Sequence, residues 1–209
     1  MPPKKQIYQF KITLQDIKPT IWRRIQVPST GTFWDLHVAI QDAMGWEDYH
    51  LHEFHIKDLS GKKVFVGIPS DEDDFMADFM EPHKVLPGWK HKVSKLVSIT
   101  EPTFLYVYDF GDDWHHTIKL EKVLPVEEGV SYPRCIGGKR NSPPEDCGGS
   151  HGYLNMLEVL DDPEDSEYQS TREWVDSMKG GTFDPDIFNP SDVKFEDPKE
   201  RFKIAFSEE

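Results

Sequence analysis

The chain has few cysteines, few basic side chains for its acidity, and no long apolar stretch. Its 209 residues include 2 cysteines and no Cys-x-x-Cys pair, which removes the strongest sequence signal for a zinc or redox site. The N-terminus is polar, and no apolar run approaches the ~18 residues that a membrane-spanning helix needs. We therefore expect a cytoplasmic protein with reduced thiols and no membrane partner.

Basic residues are outnumbered: 24 Lys and Arg stand against 38 Asp and Glu, so the formal net charge is −14. Such a chain repels phosphate backbones as a whole. The basic segments are short, namely Lys4, Lys5 and Lys11, then Trp22-Arg23-Arg24, then Lys84 to Lys95. Direct binding of duplex DNA is therefore not expected, whereas a protein partner that contacts the acidic surface stays open.

The remaining composition suits one folded domain. Hydrophobic residues make up 37% of the chain and aromatic residues 12%, so aromatic side chains must form much of the core. We predict a domain over 7–180, a disordered lead-in over 1–6, and an acidic extension over 181–209 that packs on the domain or is partly ordered. The acidic run over 71–80 is typical of a solvated loop or short helix.

Hydrophobic periodicity predicts an α+β fold, a mixed or largely antiparallel sheet with helices packed against it. Period-two alternation predicts strands near 7–14, 21–27, 51–58, 62–68, 104–110 and 114–123. Helical spacing of apolar residues predicts helices near 33–44, 152–161 and 171–179. The first helix has the clearest signals, since Thr32 and Asp35 fit a capping box and Gly45 suits the position after its last turn.

The segment YVYDFGDDWHHT, from Tyr106 to Thr117, is the densest in groups able to do chemistry. Its residues alternate on both sides of a turn rich in Gly and Asp, which predicts a β-hairpin whose first strand is central in the sheet. Candidate binding residues at its tip are Asp109, Asp112, Asp113, His115 and His116. The aspartates either cap the turn by accepting from backbone N–H groups or form a polar site at a strand end.

Three histidines stand within six residues of the third predicted strand, WEDYHLHEFHI. His50 and His52 share one face of such a strand, a spacing that suits a metal ion, and a third ligand would come from elsewhere. Solvent-facing or core-edge positions fit the same pattern. His37, on the apolar stripe of the first helix, is interpreted as a core or boundary histidine with one hydrogen bond.

A Pro- and Gly-rich connection over 124–150 contains the motif YPRCIGGKRNSPPEDCGG. A loop of this length within a compact domain is usually functional or disordered. Cys135 and Cys147 are candidate ligands of a metal such as zinc, or two reduced cysteines that pack the loop. Glu145 and Asp146 add carboxylates, and the glycines ahead of the next helix place N–H groups where an anion can bind.

Four motifs occur in order: IWRRIQVP; TFWDLHVAIQDAMGW with HLHEF; YVYDFGDDWHH; and YPRCIGG followed by PPEDCGGSHGY. Over about 7–178 the chain strongly resembles the Ri-plasmid ORF-three-like family, which includes TnpR-like passenger proteins of insertion elements. The resemblance implies a single intracellular α+β domain of a bacterium or archaeon and an association with mobile DNA. It implies no catalytic reaction. Family members often carry Ala-Cys where this chain has Asn141-Ser142, which weakens a zinc site in that loop.

Three functional hypotheses follow. The first is a binding module with an Asp/His pocket for a divalent metal ion or small anion, formed by the hairpin tip, the histidine strand and the PPEDCGG loop. The second is a metal-assisted hydrolase in which Asp109 or Glu145 acts as base on a bound water. The third is an adaptor that contacts other proteins through its acidic surface.

Overall fold

The computed structural model describes residues 6–58, 60–69 and 84–206. The strands in these ranges are β1 Gln6–Leu14, β2 Trp22–Pro28, β3 His52–Lys57, β4 Lys63–Gly67, β5 Val85–Pro87, β6 Thr103–Tyr108, β7 Trp114–Pro125 and β8 Arg134–Lys139. The α-helices are α1 Phe33–Met44, α2 Val93–Leu96, α3 Gly149–Asp161, α4 Tyr168–Met178 and α5 Pro198–Phe206. The predicted α+β class is confirmed, while most of the predicted lead-in and the acidic run over 71–80 lie outside the described residues.

One sheet joins these strands in the order β5-β4-β3-β6-β7-β1-β2-β8. Neighbours are antiparallel except β4 and β5, which are parallel. β6, the first strand of the predicted hairpin, is interior as predicted, and its last residue, Tyr108, pairs with both His52 and Trp114. This register places the start of β3 next to the hairpin tip.

The core lies between one face of the sheet and the helices. Its fully buried members include Phe10, Ile12, Phe33, Ile40, Phe54, Tyr106 and Ile118. α1 has the predicted bounds because both of its ends are capped. Thr32 Oγ1 accepts from the Asp35 N–H at 3.2 Å, Asp35 Oδ2 accepts from the Thr32 N–H at 2.7 Å, and Gly45 ends the helix with φ of 69°.

Some elements lack a local pattern and were not predicted. β8 lies inside the predicted long loop and includes Gly137 and Gly138, yet it pairs with β2, with Gly138 opposite Arg23. A strand at the edge of a sheet has unpaired N–H and C=O groups. A neighbouring segment can pair with these groups and form a strand even if its side chains are not typical of strands. α5 packs on α1, where Trp34 Nε1 donates to the Pro198 carbonyl at 2.7 Å. Of the helices in the described ranges, none is long and apolar enough to cross a membrane.

Candidate metal site

The tip of the β6–β7 hairpin is held by its own aspartates. Asp109 and Asp113 have left-handed backbones, with φ of 56° and 54°. Asp109 Oδ1 accepts a hydrogen bond from the Gly111 N–H at 2.9 Å, so this carboxylate caps the turn. Its Oδ2 is turned toward His50, so the capping and site interpretations of Asp109 are compatible with each other.

His50 lies between two carboxylates. It precedes β3 in the connection from α1, and its Nε2 is 2.9 Å from Asp146 Oδ1 and 3.6 Å from Asp109 Oδ2. One donor atom from each of the three residues lies within 4.8 Å of the others. The side chains are 31% exposed for His50, 10% for Asp109 and 59% for Asp146, so the group opens to solvent on the Asp146 side.

The PPEDCGG loop, which carries Asp146, is fastened by its buried glutamate. Glu145 Oε2 accepts from the Glu47 N–H at 2.6 Å, and Oε1 accepts from the Tyr108 hydroxyl. These bonds tie the loop to the segment that carries the site histidine and to the end of β6. Burial, together with the Glu145 carboxylate, raises the pKa of Tyr108, so this hydroxyl stays a proton donor.

A second link joins the loop to the hairpin tip. Asp112 Oδ2 accepts a hydrogen bond from the Gly148 N–H at 3.1 Å. Gly149, the first residue of α3, has φ of 67°, and a Cβ there would collide with the Asp112 carbonyl oxygen. Glycine therefore allows backbone contact between loop and hairpin tip. Three separate segments thus meet around His50.

This arrangement suits a divalent cation better than an anion. Two carboxylates beside one imidazole give the site a negative charge, which repels anions. One imidazole nitrogen and two carboxylate oxygens are suitable ligands for Zn²⁺ or Mn²⁺. Metal–ligand distances of about 2.0–2.2 Å place donor atoms within about 4.4 Å of one another, so a small movement of the exposed Asp146 would complete the ligand set.

A second group, His37, Asp48 and His52, is buried in the core. The two imidazole rings stack with 3.5 Å between centroids and 8° between planes. A ring nitrogen binds a metal along its in-plane lone pair, so parallel stacked rings cannot both direct a nitrogen at one ion. His37 instead contacts the Tyr106 hydroxyl through Nδ1 at 2.8 Å and Asp48 Oδ1 through Nε2 at 2.7 Å, two contacts where one was predicted.

Burial sets the protonation of this second group. It lowers the pKa of His37 and His52 well below the ordinary value for histidine, with Arg201 adding to the effect on His37. It also raises the pKa of Asp48 to about 6. We interpret the group as a neutral-histidine network that supports the core.

The structure separates His50 from His52. β3 begins at His52, so the two side chains do not project from one strand face as predicted. Asp48, with φ of 65°, lies in the irregular segment before β3, where the alternation expected of a strand does not hold. His50 consequently meets Asp109 and Asp146, whereas His52 meets His37 and Asp48.

The two hairpin histidines face opposite sides of β7, as neighbours on a strand do. His115 forms an exposed pair with Asp113, with 2.9 Å between Nε2 and Oδ1. His116 points into the core, where burial lowers its pKa to about 3. Neither histidine joins the group around His50.

Both cysteines are half-buried free thiols. Burial raises the pKa of Cys135, and burial together with the Asp112 carboxylate raises that of Cys147 to about 12. Cys135 lies on β8 against β2, while Cys147 lies beside the hairpin tip. Among the described residues, neither thiol belongs to a set of three metal-ligating groups.

Asp48, Tyr108 and Arg201 were missed as members of polar networks. Tyr108 follows the apolar alternation of β6, and Arg201 lies far along the chain from its partners Asp42 and Asp48. The sequence does not show the left-handed backbone of Asp48 or the position at which β3 starts, because both depend on the tertiary structure. A run of Asp, Tyr and His ahead of a strand was the one available signal.

Comparison with known proteins gives a consistent picture. Residues 6–192 match the plasmid pRiA4b ORF-3-like protein family. The uncharacterised protein y4hQ of Sinorhizobium fredii (strain NBRC 101917 / NGR234) is 34% identical over 175 residues, 82% of this chain and 81% of that protein. The crystal structure of a protein of unknown function, MM3350 from Methanosarcina mazei Go1, matches with a TM-score of 0.81 and 44% identity over 92% of this chain and 99% of that one. The chain therefore belongs to the plasmid pRiA4b ORF-3-like family.

Proposed function

We propose that this domain binds a divalent metal ion through His50, Asp109 and Asp146. The observation that carries the proposal is the position of Nε2 of the partly exposed His50, which lies 2.9 Å and 3.6 Å from carboxylate oxygens of two other segments. Nitrogen with oxygen ligands suits Zn²⁺ or Mn²⁺. The open side at Asp146 leaves coordination positions for water or a ligand.

The backbone around the three residues supports the proposal. Asp109 and Asp146 both have φ of 56°, a conformation that costs free energy for a residue other than glycine. Such strain clusters at functional sites, where the surrounding structure maintains it. Here the buried Glu145 does so, since its hydrogen bonds fix the residue next to Asp146.

We favour metal binding over metal-assisted hydrolysis as the function of this site. A hydrolase would need a base in addition to the ligands. Asp109 is itself a ligand in this proposal, and both oxygens of Glu145 already accept hydrogen bonds. Neither carboxylate is therefore free to take a proton from a bound water.

Thermal melting of untagged protein, with and without Zn²⁺ or Mn²⁺, tests the proposal. Wild type should melt at a higher temperature with the ion, because binding to the folded state alone stabilises by about 2.7 kcal/mol at 100 times the Kd. His50→Ala should abolish the shift and Asp146→Asn should reduce it. Both side chains are partly exposed, so the variants should fold.

His115→Ala is the matched control. Its imidazole is also about one-third exposed and lies at the same 2.9 Å from a single carboxylate, that of Asp113. In the described part of the chain it belongs to no set of three metal-ligating groups, so its loss should leave the shift unchanged. A shift that survives in His50→Ala, or that is lost equally in His115→Ala, would contradict the proposal.

A further inference from the structure

Three basic side chains lie in a row across three neighbouring strands. Lys11 on β1 pairs directly with Lys119 on β7 and with Arg24 on β2. With strands about 4.8 Å apart, the row spans about 10 Å. Like charges directly opposite each other destabilise a sheet. In a chain with 24 basic and 38 acidic residues, such a row is unexpected.

The row borders an open depression of about 490 Å³ on the sheet face opposite the core. Its lining residues are Gln9, Arg24, Lys119, Glu121, Lys122 and Ile136. Arg24 compensates the one lining carboxylate, with Nε 2.7 Å and Nη2 3.0 Å from the two Glu121 oxygens. No described carboxylate lies within ion-pair distance of Lys11, Lys119 or Lys122. The Lys11 charge acts on the Glu121 carboxylate and lowers its pKa, whereas the charges of Lys119 and Lys122 are available to a ligand.

The floor of this face is ordered by a chain of side-chain hydrogen bonds. Arg134 Nε donates to Gln26 Oε1 at 2.7 Å, and Gln26 Nε2 donates to Gln9 Oε1 at 3.0 Å. Gln9 Nε2 in turn donates to Glu121 Oε2 at 2.9 Å. The basic side chains are thus presented on a fixed polar layer, which limits the ordering cost of binding.

An aromatic ring stands beside the row. Trp22, half-buried on β2, has the Lys11 ammonium 5.2 Å and the Arg24 guanidinium 5.0 Å from its ring centroid. Cation–π attraction accounts for these two contacts. It does not account for Lys119 and Lys122, which line the depression.

We infer that this face, formed by β7, β1 and β2, binds single-stranded nucleic acid. Lys119, Lys11 and Lys122 would contact phosphates, and Trp22 would stack on a base. Aromatic platforms combined with basic grooves recognise single strands, whose bases are free to stack. Base reading in the major groove of a duplex uses a helix or a two-stranded ribbon, and this face is a broad sheet. Acidic residues elsewhere are screened beyond about 8 Å at physiological salt.

Fluorescence anisotropy of labelled oligo-thymidylate and oligo-uridylate of about 12 nucleotides, titrated with the full chain, tests the inference. Lys11→Ala with Lys119→Ala should weaken binding at least about tenfold and reduce the salt slope of log K by about 1.4, or 0.7 per phosphate contact. The matched control is Lys92→Ala with Lys95→Ala, which removes the same charge from exposed positions around α2. The control pair should bind as wild type does.

Tryptophan quenching tests the stacking role of Trp22. Oligonucleotide should quench the fluorescence of wild type and of Trp174→Phe, a half-exposed tryptophan on α4, but much less that of Trp22→Phe. Three results would each overturn the inference: no single-strand binding at low salt, equal weakening by the control lysine pair, or equal affinity for anionic lipid vesicles without involvement of Trp22.

Discussion

At the scale of single residues, the polar groups depend on aspartates in a backbone conformation that most side chains avoid. Asp109 and Asp146 have φ of 56°, and Asp48 has φ of 65°. Aspartate tolerates this region because its short carboxylate bonds to nearby backbone, as Asp109 does with the Gly111 N–H. In all three cases the carboxylate contacts a histidine, so each turn serves to position a charge.

Replacing Asp48 by Asn should change the pH dependence of stability. Burial raises the pKa of Asp48 from 3.8 to about 6, so the folded state binds this proton more tightly than the unfolded state. Its contribution to stability is complete below pH about 4 and is lost as pH rises through about 6. Asparagine has no charge to desolvate, so the variant should gain stability relative to wild type from about pH 4.5 to about pH 7. Urea unfolding across that range measures the difference.

For Asp58→Asn, the stability difference from wild type should change with pH in the opposite direction. Hydrogen bonds from Ser60 hold the pKa of Asp58 below its ordinary value, so its contribution is present above the unfolded pKa and is lost as pH falls. This variant should therefore lose stability relative to wild type as pH rises. A pH-independent difference for Asp48→Asn would show that burial does not perturb its ionisation.

At the scale of elements, helix α5 is held on α1 by a buried arginine together with aromatic contacts. Arg201 is 9% exposed, and its Nη2 is 3.0 Å from Asp42 Oδ1 while its Nε is 2.8 Å from Glu196 Oε2. The aromatic rings of Phe202 and Trp34 meet edge to face at 5.6 Å between centroids. Docking of this helix therefore combines a buried ion pair with an aromatic contact.

Arg201→Ala should lower the free energy of unfolding by about 3–5 kcal/mol, because it leaves Asp42 buried without a charge partner. Burial already raises the pKa of Asp42 to about 6. Adding Asp42→Asn should recover part of the loss, since the uncompensated charge is then removed. Chemical denaturation at pH about 8, above that pKa, provides the measurement.

Lys203→Ala on the same helix is the control. Its ammonium is 2.7 Å from Glu200, and both side chains are exposed, so the change should leave the free energy of unfolding nearly unchanged. A loss as large as that of Arg201→Ala would show that any cation on α5 holds the helix, and would contradict the role given to the buried pair.

At the scale of the whole molecule, the charge is unevenly distributed. The net charge is −14, yet three basic residues share one row on the open sheet face. We expect no submicromolar binding of random duplex DNA at ~150 mM salt, because few phosphate contacts are available to release counterions. A gel-shift titration measures this, and tight duplex binding would refute the prediction.

Local sequence determined much of the fold. The apolar stripe, capping box and following glycine fixed α1 at Phe33–Met44. Alternation around a Gly/Asp turn placed the strands of the β6–β7 hairpin within two residues of their observed ends. Aromatic burial followed as well, since Trp34, Trp46 and Trp114 are each at most 3% exposed. These features depend on residues that are close together along the chain, so the sequence pattern alone predicts them.

Tertiary structure decided the rest. β8 forms because its backbone pairs with the edge of β2. The partners of His50 come from the hairpin tip and from a loop 96 positions along the chain. The row of Lys119, Lys11 and Arg24 likewise depends on strand order and register. A one-residue change of register would turn each of these side chains to the other face. The sequence therefore predicted most of the candidate residues, whereas long-range strand pairing determined which of them lie in contact.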